Sequence, residues 1–188
     1  MAEWRLPVAG TLKGYLDGQQ FGVTGFYRPG GTYFHDGYDF GSRQYPHAIY
    51  AVASGQIIFT GVLGDGLGSV IVLKAQGYEI MYQEFGSSMA EIQVANGANV
   101  TIGQVIGTMT GTHLHLGMTT QPWRASLAYW NTPKGPWVNP IPILTSSGSS
   151  AAPVDKKPDP PKKPATKIST CQALINWARM TLFDKFLH

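Results

Sequence analysis

Two histidines separated by a single leucine stand in the stretch TGTHLHLGM, residues 110–118. In a β-strand, side chains at positions i and i+2 point to the same face and lie about 6.6 Å apart along the strand. His113 and His115 would therefore converge on one site, while Leu114 between them would enter the core. The alternative is an ordinary pair of surface histidines, so a chemical role needs support from elsewhere in the sequence.

A second group of polar residues lies in YFHDGYDFG, residues 33–41, where His35 and Asp39 are four positions apart. A regular strand would separate them by about 13 Å, but Gly37 allows the chain to bend between them. His35, Asp39 and one histidine of the HLH pair would then form the three-ligand composition of a catalytic zinc site. Asp36 is an alternative carboxylate, although it points away if the segment is extended. The competing interpretation is a turn that is merely rich in polar residues.

The segments around these motifs have the pattern of short strands separated by turns. Two β-rich runs flank Ser54-Gly55 within residues 48–62, and a hairpin is expected in residues 68–85 with VIVL and YEIMYQ as its strands. Glycine (23) and proline (13) are frequent, and charged residues make up only 13% of the chain. No helical period persists over three turns in residues 1–144. The sequence therefore predicts a mainly β fold, built as a compact antiparallel sheet or sandwich.

The motifs and their order resemble the lysostaphin-type (LytM-like) zinc metallopeptidases, which occur in phage endolysins and bacterial peptidoglycan hydrolases. The resemblance covers roughly residues 5–142. It rests on HDGYDF (35–40), GDGLGSVIVL (64–73), EIMYQEFGSS (79–88), VANGANVTIGQVIG (94–107) and HLHL (113–116). It implies a compact antiparallel β fold with a groove over the sheet.

The resemblance also implies separate roles for the residues of the site. Zinc would be bound by His35, Asp39 and His115, and His113 would be the catalytic histidine beside the metal. The implied activity is that of a zinc-dependent endopeptidase that hydrolyses the cross-bridge or stem peptide of bacterial peptidoglycan.

One position departs from the pattern of this family. Members usually carry a second catalytic histidine in a strand motif of the type Tyr-x-His-Leu-Ser, and the equivalent stretch here is Tyr82-Gln83-Glu84-Phe85. Glu84 therefore stands where a histidine is expected. The first interpretation is that Glu84 serves as a general base, as glutamates do in other zinc peptidases. The alternatives are a catalytically impaired domain that binds or regulates wall peptide, and a surface glutamate displaced by a register shift.

Aromatic residues are concentrated in TTQPWRASLAYWNTPKGPWVN, residues 119–139. A long aromatic-rich loop either packs over a core or lines a groove. Three of these aromatic residues are candidates for the wall of a substrate groove: Trp123, Tyr129 and Trp130. Tyr33 is a fourth candidate.

Composition divides the chain into three parts. Residues 1–144 are the expected zinc metallopeptidase domain, and residues 145–167 have the Pro-, Lys- and Ser-rich composition of a linker. Residues 168–188 have the pattern of a helix that is apolar nearly all round. Such a helix is either the start of a second wall-binding or catalytic module or a helix for self-association.

Charge and composition also limit the partners and the setting. Seven Lys or Arg and eight Asp or Glu in residues 1–144 argue against a nucleic-acid-binding face. The one cysteine, Cys171, excludes an internal disulfide framework. No run approaches the roughly 18 apolar residues of a membrane span, and MAEWRLPVAG at the start lacks the apolar core of a signal peptide. We expect synthesis in the host cytoplasm and action on the wall after holin release or lysis, or as a virion-associated lysin.

Overall fold

The structure, a computed structural model, describes residues 3–28 and 31–146. The strands of this part of the chain are β1 (Gly22–Arg28), β2 (Thr32–His35), β3 (Gly37–Gly41), β4 (Ala48–Tyr50), β5 (Gly55–Leu63), β6 (Gly68–Ala75), β7 (Tyr78–Gln83), β8 (Asn99–Val100), β9 (Val105–Thr108), β10 (His113–Thr119) and β11 (Trp137–Val138). Its α-helices are α1 (Trp123–Ser126) and α2 (Pro140–Ser146), and single 3-10 turns span Met89–Glu91 and Leu127–Tyr129. The mainly β, antiparallel fold class predicted from the sequence is confirmed.

A seven-stranded antiparallel sheet forms the centre of the fold, with the order β11-β10-β7-β6-β5-β8. The seventh strand, β3, pairs with the first five residues of β10, and β11 pairs with the last two. β7 pairs with β10 on its other edge. Strands β1 and β2 form a separate two-stranded sheet, as do β4 and β9. β10 is therefore paired on both edges from His115 onward, whereas His113 and Leu114 pair only with β3 among the described strands.

The turn between β6 and β7 shows why this part of the chain folds as a hairpin. Gln76 and Gly77 have φ values of 52° and 83°. Positive φ at both central residues is typical of the tight turn that matches the twist of antiparallel strands. The hairpin predicted in residues 68–85 is present, and so are two strands on either side of Ser54-Gly55.

Both faces of the sheet are buried over part of their area. On β10, Leu114 and Leu116 enter the larger core, whereas Met81 of β7 packs with Trp137 in a smaller core on the opposite face. Because side chains alternate along a strand, His115 lies on the face of the smaller core. The larger core beneath β10 gives this histidine a packed support.

Helix α2, the last helix of the described residues, extends beyond residue 144, where the domain is expected to end. Helix α2 continues to Ser146, just beyond the predicted boundary at residue 144. The rest of the expected linker and the expected terminal helix, residues 147–188, lie outside the described residues. Within the described part of the chain, no helix is long and apolar enough to cross a membrane.

Candidate metal centre

A bend in the chain brings His35 and Asp39 together. Strand β2 ends at His35, Asp36 forms the bend, and β3 begins at Gly37 in a different sheet. As a result, His35 Nε2 lies 3.2 Å from Asp39 Oδ1, whereas a straight strand would keep the residues about 13 Å apart. The change of chain direction expected between these two residues is present.

Gly37 contributes to this arrangement in a different way from the one expected. Its φ lies outside the left-handed region, so the bend does not depend on the conformational freedom of glycine. Instead, a Cβ at this position would lie 2.3 Å from His115 Nε2 and 2.6 Å from the carbonyl oxygen of Leu116. Glycine is required here because the His115 ring fills the space that a side chain would take.

The register of three strands places His115 in the middle of a row. Its direct partners are Asp39 on β3 and Gln83 on β7, and residues directly opposite each other in a sheet share a face. His115 Nδ1 lies 3.1 Å from Asp39 Oδ1 and 3.0 Å from His35 Nε2. Together with the 3.2 Å between His35 Nε2 and Asp39 Oδ1, these distances form a nearly equilateral triangle, called the ligand triangle below.

The ligand triangle fits a zinc ion. Nitrogen and oxygen ligands about 2.0–2.2 Å from a tetrahedral zinc are about 3.3–3.5 Å from one another, close to the separations found here. Asp39 Oδ1 is buried and makes no hydrogen bond of suitable geometry among the described residues, although two ring nitrogens lie beside it. Two imidazole nitrogens and a carboxylate oxygen that face one point form a donor set that zinc prefers.

Burial and opposite charges set the protonation of this cluster. Burial raises the pKa of Asp39, but the imidazoles of His115 and His35 outweigh burial and hold that pKa well below its usual range. Burial lowers the pKa of His115, but the carboxylates of Asp39 and Asp36 outweigh it and raise the pKa to about 9. Asp39 is therefore ionised, as a metal ligand must be, and His115 must release a proton when a metal binds.

Two carboxylates lie close enough to be considered as the oxygen ligand. Ligand atoms of His35, Asp36 and His115 lie within 4.8 Å of one another, so Asp36 also belongs to the cluster. Its Oδ1, however, lies 3.6 Å from His115 Nε2, whereas Asp39 faces Nδ1. The lone pairs of the two ring nitrogens diverge, so one ion cannot bind both. Asp39 is the better-placed ligand because it shares the Nδ1 side of the ring with His35.

His113 lies two residues before His115 on the same face of β10. Its Nε2 is 3.0 Å from Glu84 Oε2 and 3.7 Å from Asp39 Oδ1, and its Nδ1 is 3.0 Å from the hydroxyl of Thr112. The hydrogen bond to Glu84 raises the pKa of His113. Burial raises the pKa of Glu84, but the hydrogen bond with His113 and the nearby imidazoles outweigh burial and lower it. The two side chains form an ion pair beside the ligand triangle.

Glu84 reaches this position through an unusual backbone conformation. In a regular strand it would point to the face opposite that of Gln83, but β7 ends at Gln83 and Glu84 has a φ of 64°. This left-handed conformation is disfavoured for a residue with a side chain. It is held by the amide of Glu84, which donates to the carbonyl oxygen of Leu67 at 2.8 Å, and Gln83 Nε2 donates to Glu84 Oε1 at 3.0 Å. The geometry does not support a surface position after a register shift.

An open cavity of about 590 Å³ lies over the ligand triangle. Its walls include Arg28 at the end of β1, Asp65 and Leu67 in the turn between β5 and β6, and Gln83 and Trp130. Arg28 and Gln83 are residues of the cavity that the sequence does not predict. The position of Gln83 opposite His115 becomes visible once the register of β7 and β10 is known, and no sequence pattern marks Arg28.

The four aromatic candidates fall in different places. Trp130 lines the cavity, Tyr129 lines a separate depression, and Tyr33 is exposed and packs edge-on against Tyr27 at 5.0 Å. Trp123 does not lie in the groove wall as expected. It is 5% exposed and packs in the smaller core against Phe59, because its helix turns the indole toward the sheet.

Comparisons with known proteins agree with this fold. The sequence profile of peptidase family M23 matches residues 33–128, which contain both histidine motifs. The crystal structure of CbpA from L. salivarius REN is 34% identical, with 77% of this chain and 96% of that chain covered and a TM-score of 0.69. The fold and the motifs define a lysostaphin-type peptidase domain. The chain belongs to peptidase family M23.

The antimicrobial peptidase lysostaphin from Staphylococcus simulans shares the fold. It is 24% identical, with 79% of this chain and 57% of that chain covered and a TM-score of 0.53. Its catalytic domain alone is 23% identical, with 69% of this chain and 92% of that chain covered and a TM-score of 0.50. The resemblance to lysostaphin-type domains is therefore confirmed. The comparison with curated proteins gives no significant match.

Proposed function

We propose that the protein is a zinc-dependent endopeptidase that hydrolyses the cross-bridge or stem peptide of bacterial peptidoglycan. The observation that carries this proposal is the ligand triangle of His35, Asp39 and His115 next to the His113–Glu84 pair, in an open cavity of a family M23 domain. Membership of peptidase family M23 supports both peptide hydrolysis and a peptidoglycan substrate. We expect that the protein acts as a phage lysin.

The three residues of the ligand triangle would hold the zinc ion. Bound zinc would supply a Lewis acid that acidifies water and polarises a carbonyl group. With three protein ligands, a catalytic zinc site keeps a coordination position for other ligands. Asp39 is buried and ionised, so it contributes the negative charge that offsets part of the charge of the ion.

His113 is the proposed catalytic histidine. Its Nε2 lies between the ligand triangle and Glu84, and its raised pKa favours the protonated ring. An imidazolium N–H in this position donates a hydrogen bond to a carbonyl oxygen that gains negative charge, and it supplies a proton to the leaving amine.

Glu84 is the proposed general base in place of a second histidine. Its lowered pKa keeps the carboxylate in the ionised form that a base needs. Gln83 holds one carboxylate oxygen and His113 holds the other, so the group has a defined position beside the cavity. A domain that only binds wall peptide is the alternative, and the contact between Glu84 and His113 favours the enzyme.

Clearing of cell walls embedded in a gel tests the proposal. The full chain should clear the gel, a chelator should stop the clearing, and added zinc should restore it, while His115→Ala should stay inactive with or without zinc. Mass spectrometry of the released muropeptides would identify the bond that is cut. Stoichiometric zinc without any clearing would instead indicate a binding module, and a protein that neither binds zinc nor clears walls would refute both functions.

A further inference from the structure

Asp36 is a buried acid to which the proposed mechanism gives no role. It occupies the bend between β2 and β3, and its side chain is 10% exposed. Carboxylates are rarely buried without a partner, because the loss of hydration disfavours the charge. Besides the backbone amide of Asp36 itself, a ring nitrogen that can offer a proton lies nearby, because Nε2 of His115 is 3.6 Å from Asp36 Oδ1.

Within the described part of the chain, His115 in turn lacks a hydrogen-bond partner for Nε2, the ring nitrogen that faces Asp36. The side chain is 4% exposed, and its Nε2 makes no hydrogen bond among the described residues. In His35, the ring nitrogen that faces away from the ligand triangle is Nδ1. It has a hydrogen-bond partner, because it lies 2.9 Å from the carbonyl oxygen of Gln20. One histidine of the ligand triangle is thus anchored by the backbone, and the other faces a carboxylate.

The tautomer of an imidazole decides which nitrogen can bind a metal. Neutral histidine binds through the nitrogen that carries the lone pair, and the other nitrogen then carries the proton. A carboxylate beside Nε2 stabilises the proton there, leaves the lone pair on Nδ1, and makes that nitrogen a stronger ligand. Gly37 allows this contact, because any Cβ at that position would lie 2.3 Å from His115 Nε2.

We propose that Asp36 is a positioning residue that accepts the Nε2 proton of His115 and thereby directs Nδ1 of this ring toward the zinc ion. This inference rests on the proposed zinc-dependent function. It gives the two acids of the HDGYD segment separate roles, with Asp39 as the ligand and Asp36 as the anchor of another ligand.

The test compares the zinc affinity of full-length variants by competition with a chromophoric chelator. Asp36→Ala should weaken zinc binding by roughly 10–100-fold, the usual effect of removing such a partner. Asp36→Asn should recover part of the loss, because the amide oxygen can still accept the Nε2 proton. The matched control is Asp65→Asn, which removes one carboxylate from the same cavity at a position with a φ of 55°, a conformation that asparagine tolerates. This control should bind zinc nearly as tightly as the unchanged protein.

A spectroscopic measurement separates positioning from a general loss of charge. In the zinc-loaded protein, nitrogen NMR of the histidine rings should show His115 protonated at Nε2 and metal-bound at Nδ1. The Nε2 proton signal should shift in Asp36→Ala and not in Asp65→Asn. Thermal unfolding of the metal-free variants checks that each one folds, and Asp36→Asn carries the test if Asp36→Ala does not.

The possible failures are distinct. Unchanged zinc affinity and an unchanged His115 signal in the Asp36 variants would overturn the inference while leaving the proposed function intact. Complete loss of zinc in Asp36→Asn, with zinc retained in Asp39→Ala, would overturn it by making Asp36 the ligand. A protein that binds no zinc before any substitution would refute the proposed function and the inference together.

Discussion

Substitution of Gly37 by alanine tests how tightly the two halves of the site are packed. The added Cβ would lie 2.3 Å from His115 Nε2, 2.8 Å from His115 Cε1 and 2.6 Å from the Leu116 carbonyl oxygen. Because comfortable contacts are about 3.5–4.0 Å, the ring and the strand must each move by about 1 Å. The imidazole must be displaced to relieve the first clash, and the Leu116 carbonyl, which lies in β10 where it pairs with β3, requires a backbone shift as well.

The expected result has two parts, measured separately. Overpacking of this kind lowers the free energy of unfolding by about 1–3 kcal/mol, to be measured by chemical denaturation of the metal-free protein. Displacement of the His115 ring should also weaken zinc binding by at least about tenfold, the lower end of the effect of disturbing the support of a ligand. The loss of stability follows from the displaced ring and backbone, and the loss of zinc affinity follows from the displaced ring.

Gly64→Ala is the matched control for this substitution. A Cβ at Gly64 meets nothing within 4 Å, and its φ lies outside the left-handed region. This variant should unfold and bind zinc like the unchanged protein. If Gly37→Ala behaved in the same way as Gly64→Ala in both assays, the steric explanation for glycine at position 37 would be refuted.

Further predictions concern the catalytic pair and the smaller core. His113→Ala should keep its zinc and lose cleavage, whereas His115→Ala should lose both, and equal zinc contents would contradict the separate roles. Glu84→Gln should lower the cleavage rate by about 10²–10⁴-fold at unchanged zinc content, so unchanged hydrolysis would remove Glu84 from the mechanism. Trp137→Ala removes a buried indole whose Nε1 donates to the Ser126 carbonyl oxygen. It should lower the free energy of unfolding by about 3–5 kcal/mol, and a loss below about 1 kcal/mol would show that the smaller core contributes little.

Glu84 shows where reasoning from the sequence meets its limit. The family motif identifies the position, but strand alternation predicts that Gln83 and Glu84 point to opposite faces. The left-handed backbone at Glu84 places its carboxylate beside His113 instead. Such a conformation is disfavoured by about 1–2 kcal/mol for an L-residue, and it persists because the hydrogen bond to Leu67 holds the chain there. Local sequence preference cannot reveal a backbone that tertiary contacts impose.

The aromatic segment of residues 119–139 also shows what the sequence cannot predict, namely how its side chains pack. Its composition is compatible with a groove wall and with a core, and the structure divides the residues between the two. Trp130 lines the cavity and Trp123 is buried against Phe59. The difference depends on which way one short helix faces, and four residues of helix carry no periodic pattern that could predict it.

The sequence by itself determined the strand pattern, the turns and the set of residues that could bind zinc. These features depend on local periodicity, on glycine turns and on ligand chemistry, all of which can be read along the chain. The tertiary structure decided which nitrogen of His115 faces Asp39 and which faces Asp36, and it placed Glu84 on His113. These contacts join strands far apart in the chain. They depend on the pairing register of the strands and on the absence of a side chain at Gly37, which leaves room for the His115 ring. No single segment of the sequence encodes either the register or this contact.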